Sequence, residues 1–133
     1  NLEAQKAGSP LFTPAVQAFL ALDGALDELL KEGTGNRIKR YRKLAGRLRK
    51  AFDGAGLEYL VDPAYHSNTI TALRLPAGCT YEKLHREFKS RGFVIYAGQS
   101  RLRKTIFRIA NMGQITGRDS RRLIKAVRSI FKK

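Results

Sequence analysis

One arginine of this 133-residue chain, Arg108, lies inside an apolar run, TIFRIANMG at positions 105–113. The β-branched and aromatic side chains around it predict a strand that is buried on both faces. On the two-residue period of a strand, Arg108 shares its face with Ile106 and Ala110. Because a guanidinium keeps its charge, and an unpaired buried charge costs about 3–5 kcal/mol, this side chain needs an anionic partner.

The sequence leaves the identity of that partner open. An Asp or Glu of the same chain would make Arg108 half of a structural ion pair, and an arginine near a strand end can also extend its head group into solvent. A carboxylate or phosphonate from another molecule would instead make Arg108 a binding residue.

Other groups with chemical potential are sparse. Cys79 is the single cysteine, so neither a disulfide nor a paired-cysteine zinc site is expected, and His66 and His85 lack the spacing of metal ligands. The sequence has no glycine-rich phosphate loop of the GxGxxG or GxxxxGK[ST] type, and no isolated carboxylate pair indicates acid–base catalysis. We therefore expect no metal and only part of a catalytic site.

The formal net charge of +15 comes from 26 basic and 11 acidic residues. Eight basic residues lie within positions 37–50 and a second group lies within 118–133, both in segments with helical periodicity. A solvated helix face explains such runs, and this is the preferred interpretation. The alternative is a basic nucleic-acid-binding module that uses the helix from Arg37 to Lys50, although the sequence shows no RNP-like aromatic pattern, no zinc finger and no convincing helix-turn-helix.

Three helix starts can be read from capping residues. Thr13 followed by Pro14 predicts the N-cap of the first helix. Thr80 predicts a later cap, and Thr116 with Asp119 predicts a variant of the capping box at the last helix. An apolar stripe on the first helix predicts one buried face, made of Val16, Phe19, Leu20, Leu26 and Leu30.

Short apolar runs at 57–61, 69–75 and 93–96 predict three strands besides the one that holds Arg108. Residues 1–12 lack periodicity and are expected to hold no element of their own. The order α-α-β-β-α-β-β-α predicts an α+β fold, in which a small, mostly antiparallel four-stranded sheet is covered by helices and preceded by two helices.

The bulk properties set the class of protein. The length suits one domain, and an apolar share of 43% argues against disorder. No apolar stretch reaches the roughly 20 residues of a membrane span, and no signal-peptide pattern is present, so a cytoplasmic protein without membrane contact is expected. Because the first residue is Asn1 and not Met, we also expect the chain to be a piece of a longer protein.

Four segments carry a resemblance to a known family: FTPAVQ at 12–17, SNTITALRLP at 67–76, GFVIYAGQ at 92–99 and FRIANMG at 107–113. In this order and spacing they resemble the carboxyl-terminal part of class V aminotransferases, which are fold type I enzymes dependent on pyridoxal 5'-phosphate (PLP). The resemblance is strongest to 2-aminoethylphosphonate:pyruvate aminotransferases, with alanine:glyoxylate aminotransferases as neighbours. It implies that residues 13–133 form the C-terminal small domain and that residues 1–12 are the tail end of a large domain.

The resemblance also implies roles for two residues. Arg108 matches the family arginine that binds the substrate carboxylate, and Thr13 matches a threonine that reaches the cofactor phosphate of the partner subunit in a homodimer. Ala15 and Ala110 replace a proline and a glycine of many relatives without removing a functional group. The Schiff-base lysine of the family is expected upstream of residue 1, so no catalytic residue is expected in this chain.

The expected function is that of a C-terminal fragment of a PLP-dependent aminotransferase. The parent would transfer an amino group from a small donor, 2-aminoethylphosphonate or an amino acid, to pyruvate or a similar 2-oxo acid. Its expected partners are these small molecules and a second subunit, and not nucleic acid. Without the upstream domain, the chain is expected to be inactive.

Overall fold

The structure, a computed structural model, describes residues 2–8 and 12–131, without the side chains of residues 4 and 5. Two compact units make up the chain, Asn1–Arg37 and Ile38–Lys133. The second unit contains the sheet and the hydrophobic core. None of the helices within the described ranges is long and apolar enough to cross a bilayer.

The first unit begins with a short helix, α1 (Leu2–Lys6). Glu3 in its first turn and Lys6 in its last turn complement the helix dipole. The expectation that residues 1–12 hold no element is therefore wrong for these residues, because a five-residue helix is too short to show an apolar period. Residues 9–11 lie outside the described ranges.

The second helix, α2 (Val16–Glu32), starts later than predicted. The Val16 N–H donates to the main-chain oxygen of Pro14 at 2.9 Å, and Ala15 has a φ of −74° and a ψ of 74°, which is the geometry of an inverse γ-turn. Ala15 is consequently the N-cap, without a side-chain capping bond. The prediction that Thr13 caps the helix is wrong, because the γ-turn separates Thr13 from the first helical residue.

The apolar stripe of α2 is not buried. No residue of this helix is buried in the structure, and Phe19 and Leu30 are 63% and 79% exposed. The sequence thus predicted the helix and its apolar face, but not the exposure of that face. The helix ends at Gly33, where a φ of 81° favours glycine and the N–H donates to the oxygen of Leu29 at 2.8 Å.

The remaining elements are α3 (Thr34–Gly54), β1 (Ile70–Arg74), α4 (Tyr81–Lys89), β2 (Tyr96–Ala97), β3 (Ile106–Ala110) and α5 (Gly117–Ile130). Two predicted caps are confirmed. The Thr80 hydroxyl accepts from the Lys83 N–H at 3.3 Å at the start of α4. At the start of α5, Thr116 and Asp119 form the predicted capping box, and hydrogen bonds from the Thr116 hydroxyl and N–H lower the pKa of Asp119.

β3 is the central strand of an antiparallel sheet with the order β1-β3-β2. The predicted α+β fold with a small antiparallel sheet is confirmed, but three strands pair and not four. The predicted strand at 57–61 contributes only an isolated bridge between Tyr59 and Leu73. The first residue of this segment is bonded to the end of α3, since the Leu57 N–H donates to the oxygen of Phe52 at 3.0 Å. A 3-10 turn at Pro63–Tyr65 follows the segment.

The sheet has one covered face and one more open face. Phe107 and Ile109 of β3 face the core, where they pack with the buried side chains of α3, α4 and α5. On the other face Ile106 is buried, Arg108 is half-buried and Ala110 is exposed. On this face the expectation of a strand buried on both faces holds only at Ile106, because the core side chains of α3, α4 and α5 pack with Phe107 and Ile109 on the other face. The run at 93–96 pairs only from Tyr96 onward, although Ile95 is buried.

Gly98 provides a test of the close packing between β2, the turn at Leu102 and Ile106 of β3. A Cβ at this position would overlap the main-chain oxygen of Leu102 and would lie 2.7 Å from Cγ1 of Ile106. We expect Gly98→Ala to lower the free energy of unfolding by about 1–3 kcal/mol, as overpacking does elsewhere. Urea unfolding followed by circular dichroism measures this change.

Gly46→Ala is the matched control, since a Cβ there, in the middle of α3, meets no atom within 4 Å. This change should raise the free energy of unfolding by about 0.5–1 kcal/mol, because alanine loses less backbone entropy in a helix. Equal urea midpoints for Gly98→Ala and the unmodified chain would contradict the described packing.

Candidate functional site

Arg108 lies at the centre of the more open face of the sheet. In the strand register its neighbours are Ala72 of β1 and Tyr96 of β2. Its Nε donates to the main-chain oxygen of Ala97 at 3.0 Å. A guanidinium has five N–H donors, so this bond orients the side chain while most of its donors stay available for a second partner.

No carboxylate neutralises Arg108 in the part of the chain that the structure describes. The ion pairs found there involve other arginines: Arg37 with Glu32, Arg74 with Glu58, Arg91 with Glu87, and Arg122 with Asp119. An internal ion pair therefore does not explain Arg108. A side chain extended fully into solvent does not explain it either, because the residue is half-buried.

A cavity of about 160 Å³ is lined in part by Arg108. Its walls are mostly apolar and include Val61, Ile70 and Ala72, with Tyr65 and His66 contributing aromatic rings. The small side chain of Ala72, directly opposite Arg108 in the register, helps to leave this space open. Because apolar walls weaken dielectric screening, an anion in this cavity would interact with Arg108 more strongly than at the open surface.

The segment that forms one wall of the cavity is fixed by its own hydrogen bonds. The Asp62 carboxylate accepts from the Ala64 N–H at 2.8 Å and starts the 3-10 turn. His66 Nε2 forms a hydrogen bond with the oxygen of Val61 at 2.9 Å, and its ring lies 4.6 Å from that of Tyr59. Burial raises the pKa of Tyr59, and the bond from its hydroxyl to Asp53, 2.6 Å long, raises it further.

Two more side chains hold the end of the same segment. Asn111, which is 1% exposed, donates from Nδ2 to the main-chain oxygen of Asn68 at 2.8 Å, and its N–H donates to that of Thr69 at 2.9 Å. Arg49 of α3 donates to the oxygen of Ser67. Sequence reasoning missed Asn111, although a polar residue directly after a buried strand, inside the FRIANMG motif, was a usable signal.

The other predicted or excluded groups lie elsewhere. Thr13 belongs to the first unit; it is exposed, and its hydroxyl forms no hydrogen bond with the described residues. Such a hydroxyl can contact an anion such as a phosphate oxygen, so its environment fits the expected cofactor contact. The ring of His85 lies 5.6 Å from that of Tyr81, centroid to centroid, and does not line the Arg108 cavity. The described residues contain no cluster of side chains that could hold a metal.

Sequence comparisons relate this chain to longer proteins. No family model matches it. An uncharacterized aminotransferase of Methanocaldococcus jannaschii is 35% identical over 103 residues, which are 77% of this chain and 27% of that protein. A 2-aminoethylphosphonate–pyruvate transaminase of Syntrophobacter fumaroxidans is 36% identical over 126 residues, which are 92% of this chain and 34% of the relative.

A structural comparison agrees with these matches. The crystal structure of pyridoxamine-pyruvate aminotransferase from Mesorhizobium loti matches 94% of this chain and 34% of its own, with a TM-score of 0.82 and 26% sequence identity. Over most of its length, the chain is therefore similar to one part of these longer aminotransferases. The predicted resemblance to aminotransferases is thus confirmed, and the chain spans about a third of the length of the relatives that it matches.

The hydrogen bond from Asn111 to the oxygen of Asn68 can be tested by substitution. Asn111→Asp keeps the size of the side chain but replaces the Nδ2 donor by an acceptor that faces the oxygen of Asn68. We expect the free energy of unfolding to fall by about 1–3 kcal/mol, the usual cost of a buried polar group without a partner. Urea unfolding at neutral pH measures it, and hydrogen exchange at 62–69 should become faster.

Asn68→Ala is the control for this prediction, because it removes a side chain but retains the main-chain oxygen that Asn111 contacts. Its unfolding free energy should change by less than that of Asn111→Asp. If the two variants are equally stable, Asn111 does not hold the segment in the way described.

Proposed function

We propose that this chain is the small C-terminal domain of a PLP-dependent aminotransferase. The enzyme would transfer an amino group from a small donor, 2-aminoethylphosphonate or an amino acid, to pyruvate or a similar 2-oxo acid. The observation that carries the proposal is Arg108, a half-buried cation beside a small cavity and without a carboxylate partner in the described chain. The names of relatives such as the Syntrophobacter transaminase support the reaction class.

Arg108 would bind the carboxylate of the substrate. A planar guanidinium presents parallel N–H donors that match the two oxygens of a carboxylate, so it fixes the orientation as well as the position of the acid. The bond to the Ala97 oxygen restricts the rotation of the side chain before the substrate arrives. Because the carboxylate is held in place, the neighbouring carbon that exchanges the amino group is also oriented.

Thr13 would contact the phosphate of PLP bound to the partner subunit of a homodimer. Two observations support this role: its hydroxyl is exposed, and it is not used as the cap of α2, where Ala15 takes the N-cap position. When bound, PLP supplies the electron sink that amino-group transfer requires. Thr13 and Arg108 would thus contribute one cofactor contact and one substrate contact.

The isolated chain would be inactive, and residues 1–12 would be the end of a large domain. Two observations support this part of the proposal. All described lysines are exposed, so none of them occupies the enclosed apolar pocket that activates a reactive amine. The apolar side chains of α2 are also exposed, as expected of a surface that another part of a larger protein covers.

Arg108→Ala in the full-length enzyme tests the substrate role. The loss of a charged hydrogen-bonding pair, worth about 1.5–3 kcal/mol, should raise the KM for the 2-oxo acid by about 10- to 100-fold. Arg108→Lys should recover part of the loss, because it keeps the charge but not the paired donors. Steady-state kinetics with pyruvate and glyoxylate measure this, and the absorbance of bound PLP should persist.

The matched control is Arg103→Ala, which removes an exposed cation from the segment before β3. Its KM should stay within about twofold of that of the unmodified enzyme, as expected for a surface charge. An unchanged KM in Arg108→Ala would remove the basis of the substrate assignment.

Thr13→Val tests the cofactor contact, since it keeps the shape of the side chain and removes the hydroxyl. The Kd of the full-length enzyme for PLP should rise by about tenfold or more, because a hydrogen bond to a charged phosphate is lost. Thr13→Ser should restore the affinity. Equal PLP affinity in Thr13→Val and the unmodified enzyme, measured by absorbance titration, would exclude the contact.

A further inference from the structure

The charge of this protein is concentrated in one of its two units. Residues 38–133 hold 23 of the 26 basic residues and only 6 of the 11 acidic ones, a net charge of +17 from 23 minus 6. Residues 1–37 hold the other 3 basic and 5 acidic residues. The unit with the sheet is therefore far more basic than its solubility requires.

Two helices of this unit carry most of the excess. α3 has no acidic residue before Asp53, and the only acidic residue of α5, Asp119, is engaged by Thr116 in the capping box. Like charges consequently lie one turn apart, as at Lys43 and Arg47. A helix face that only needs solvation usually mixes both signs, since like charges at this spacing repel each other.

Basic side chains also line two grooves beside α5. The first groove, of about 470 Å³, lies between α3 and the start of α5 and includes Arg40, Lys43 and Arg47. The second groove, of about 380 Å³, includes Arg91, Arg122 and Lys125. We call this region, with the exposed Arg118 and Arg121 of α5, the α3–α5 basic surface.

The apolar side chains that line the two grooves, such as Phe93 and Leu44, are partly or fully buried. No large apolar side chain is exposed at residues 39–50 or 117–130, whereas protein interfaces have an apolar centre with aromatic anchors. Proteins that bind single-stranded nucleic acid stack its bases on exposed aromatic rings, and these segments expose none. What remains is a dense array of cations, mainly arginines, which suits regularly spaced phosphates.

We propose that the α3–α5 basic surface binds the phosphate backbone of double-stranded nucleic acid without reading its sequence. The partner is recognised by its charge density, because Lys43 and Arg47 in the first groove and Lys125 in the second form no ion pair with the described residues. Arg91 and Arg122 of the second groove are already paired with Glu87 and Asp119. The helices that carry this surface cover the face of the sheet opposite Arg108, so a duplex and a small acid would use different sides of this unit.

Fluorescence anisotropy with a labelled 20-base-pair duplex of mixed sequence tests the proposal. The protein should bind this duplex more tightly than either single strand, and the logarithm of its affinity should fall linearly with that of the salt concentration. The double variant Lys43→Glu/Arg47→Glu should bind at least about tenfold more weakly and should lower the salt slope by about 2, one for each lost phosphate contact. Circular dichroism checks that the double glutamate variant is folded. If it unfolds, Lys43→Gln/Arg47→Gln is measured in its place.

The charge-matched control is Arg103→Glu/Lys104→Glu, which makes the same change in net charge at residues that line neither groove. The affinity and the salt slope of this control should stay much closer to those of the unmodified protein than those of Lys43→Glu/Arg47→Glu do. An equal loss of duplex affinity in the two double variants would show that net charge alone attracts the duplex, and it would overturn the assigned surface. Stronger binding to single strands, to poly-glutamate or to vesicles with anionic lipid would overturn the assigned partner.

Discussion

The structure depends on a guanidinium that is held in the central strand of a small sheet, with a main-chain oxygen as its partner within the described chain. The bond from Arg108 Nε to the Ala97 oxygen uses one donor and brings no negative charge. A half-buried cation without a counter-charge is costly, and this cost is the reason for proposing that an external anion supplies the missing partner. The antiparallel pairing fixes its neighbours, because β1 places the small Ala72 on one side and β2 places Tyr96 on the other.

The surrounding structure supports the walls of the cavity that Arg108 helps to line. Core side chains of α3, α4 and α5 pack with Phe107 and Ile109 on the face of β3 opposite Arg108. Asn111, at the end of β3, and Arg49, on α3, both bond to main-chain oxygens of the segment that walls the cavity. The same helices that build the core present their basic side chains outward. The helices that pack against the core face of the sheet therefore also form a separate charged surface on their outer side.

Much of this arrangement could be predicted from local sequence, where local interactions decide the structure. The caps at Thr80 and Thr116 were predicted correctly because each depends on a hydroxyl and an N–H within one turn. Arg108 stood out as a lone cation in an apolar strand. The α2 start was wrong because an inverse γ-turn at Ala15 leaves no side-chain signal. The segment at 57–61 has a strand-like composition, but pairing depends on the position of β1 and on the end of α3, which lie outside the segment. The contacts of Asn111 and the walls at Tyr65 and His66 join residues distant in sequence, so no local pattern indicates them.

A crystal structure of the full-length protein with a small 2-oxo acid bound tests the central claim most directly. The account predicts that both carboxylate oxygens lie within about 2.7–2.9 Å of guanidinium nitrogens of Arg108, while its Nε keeps the bond to the Ala97 oxygen. A carboxylate held by another cation, with Arg108 still bonded to Ala97 alone, would contradict it.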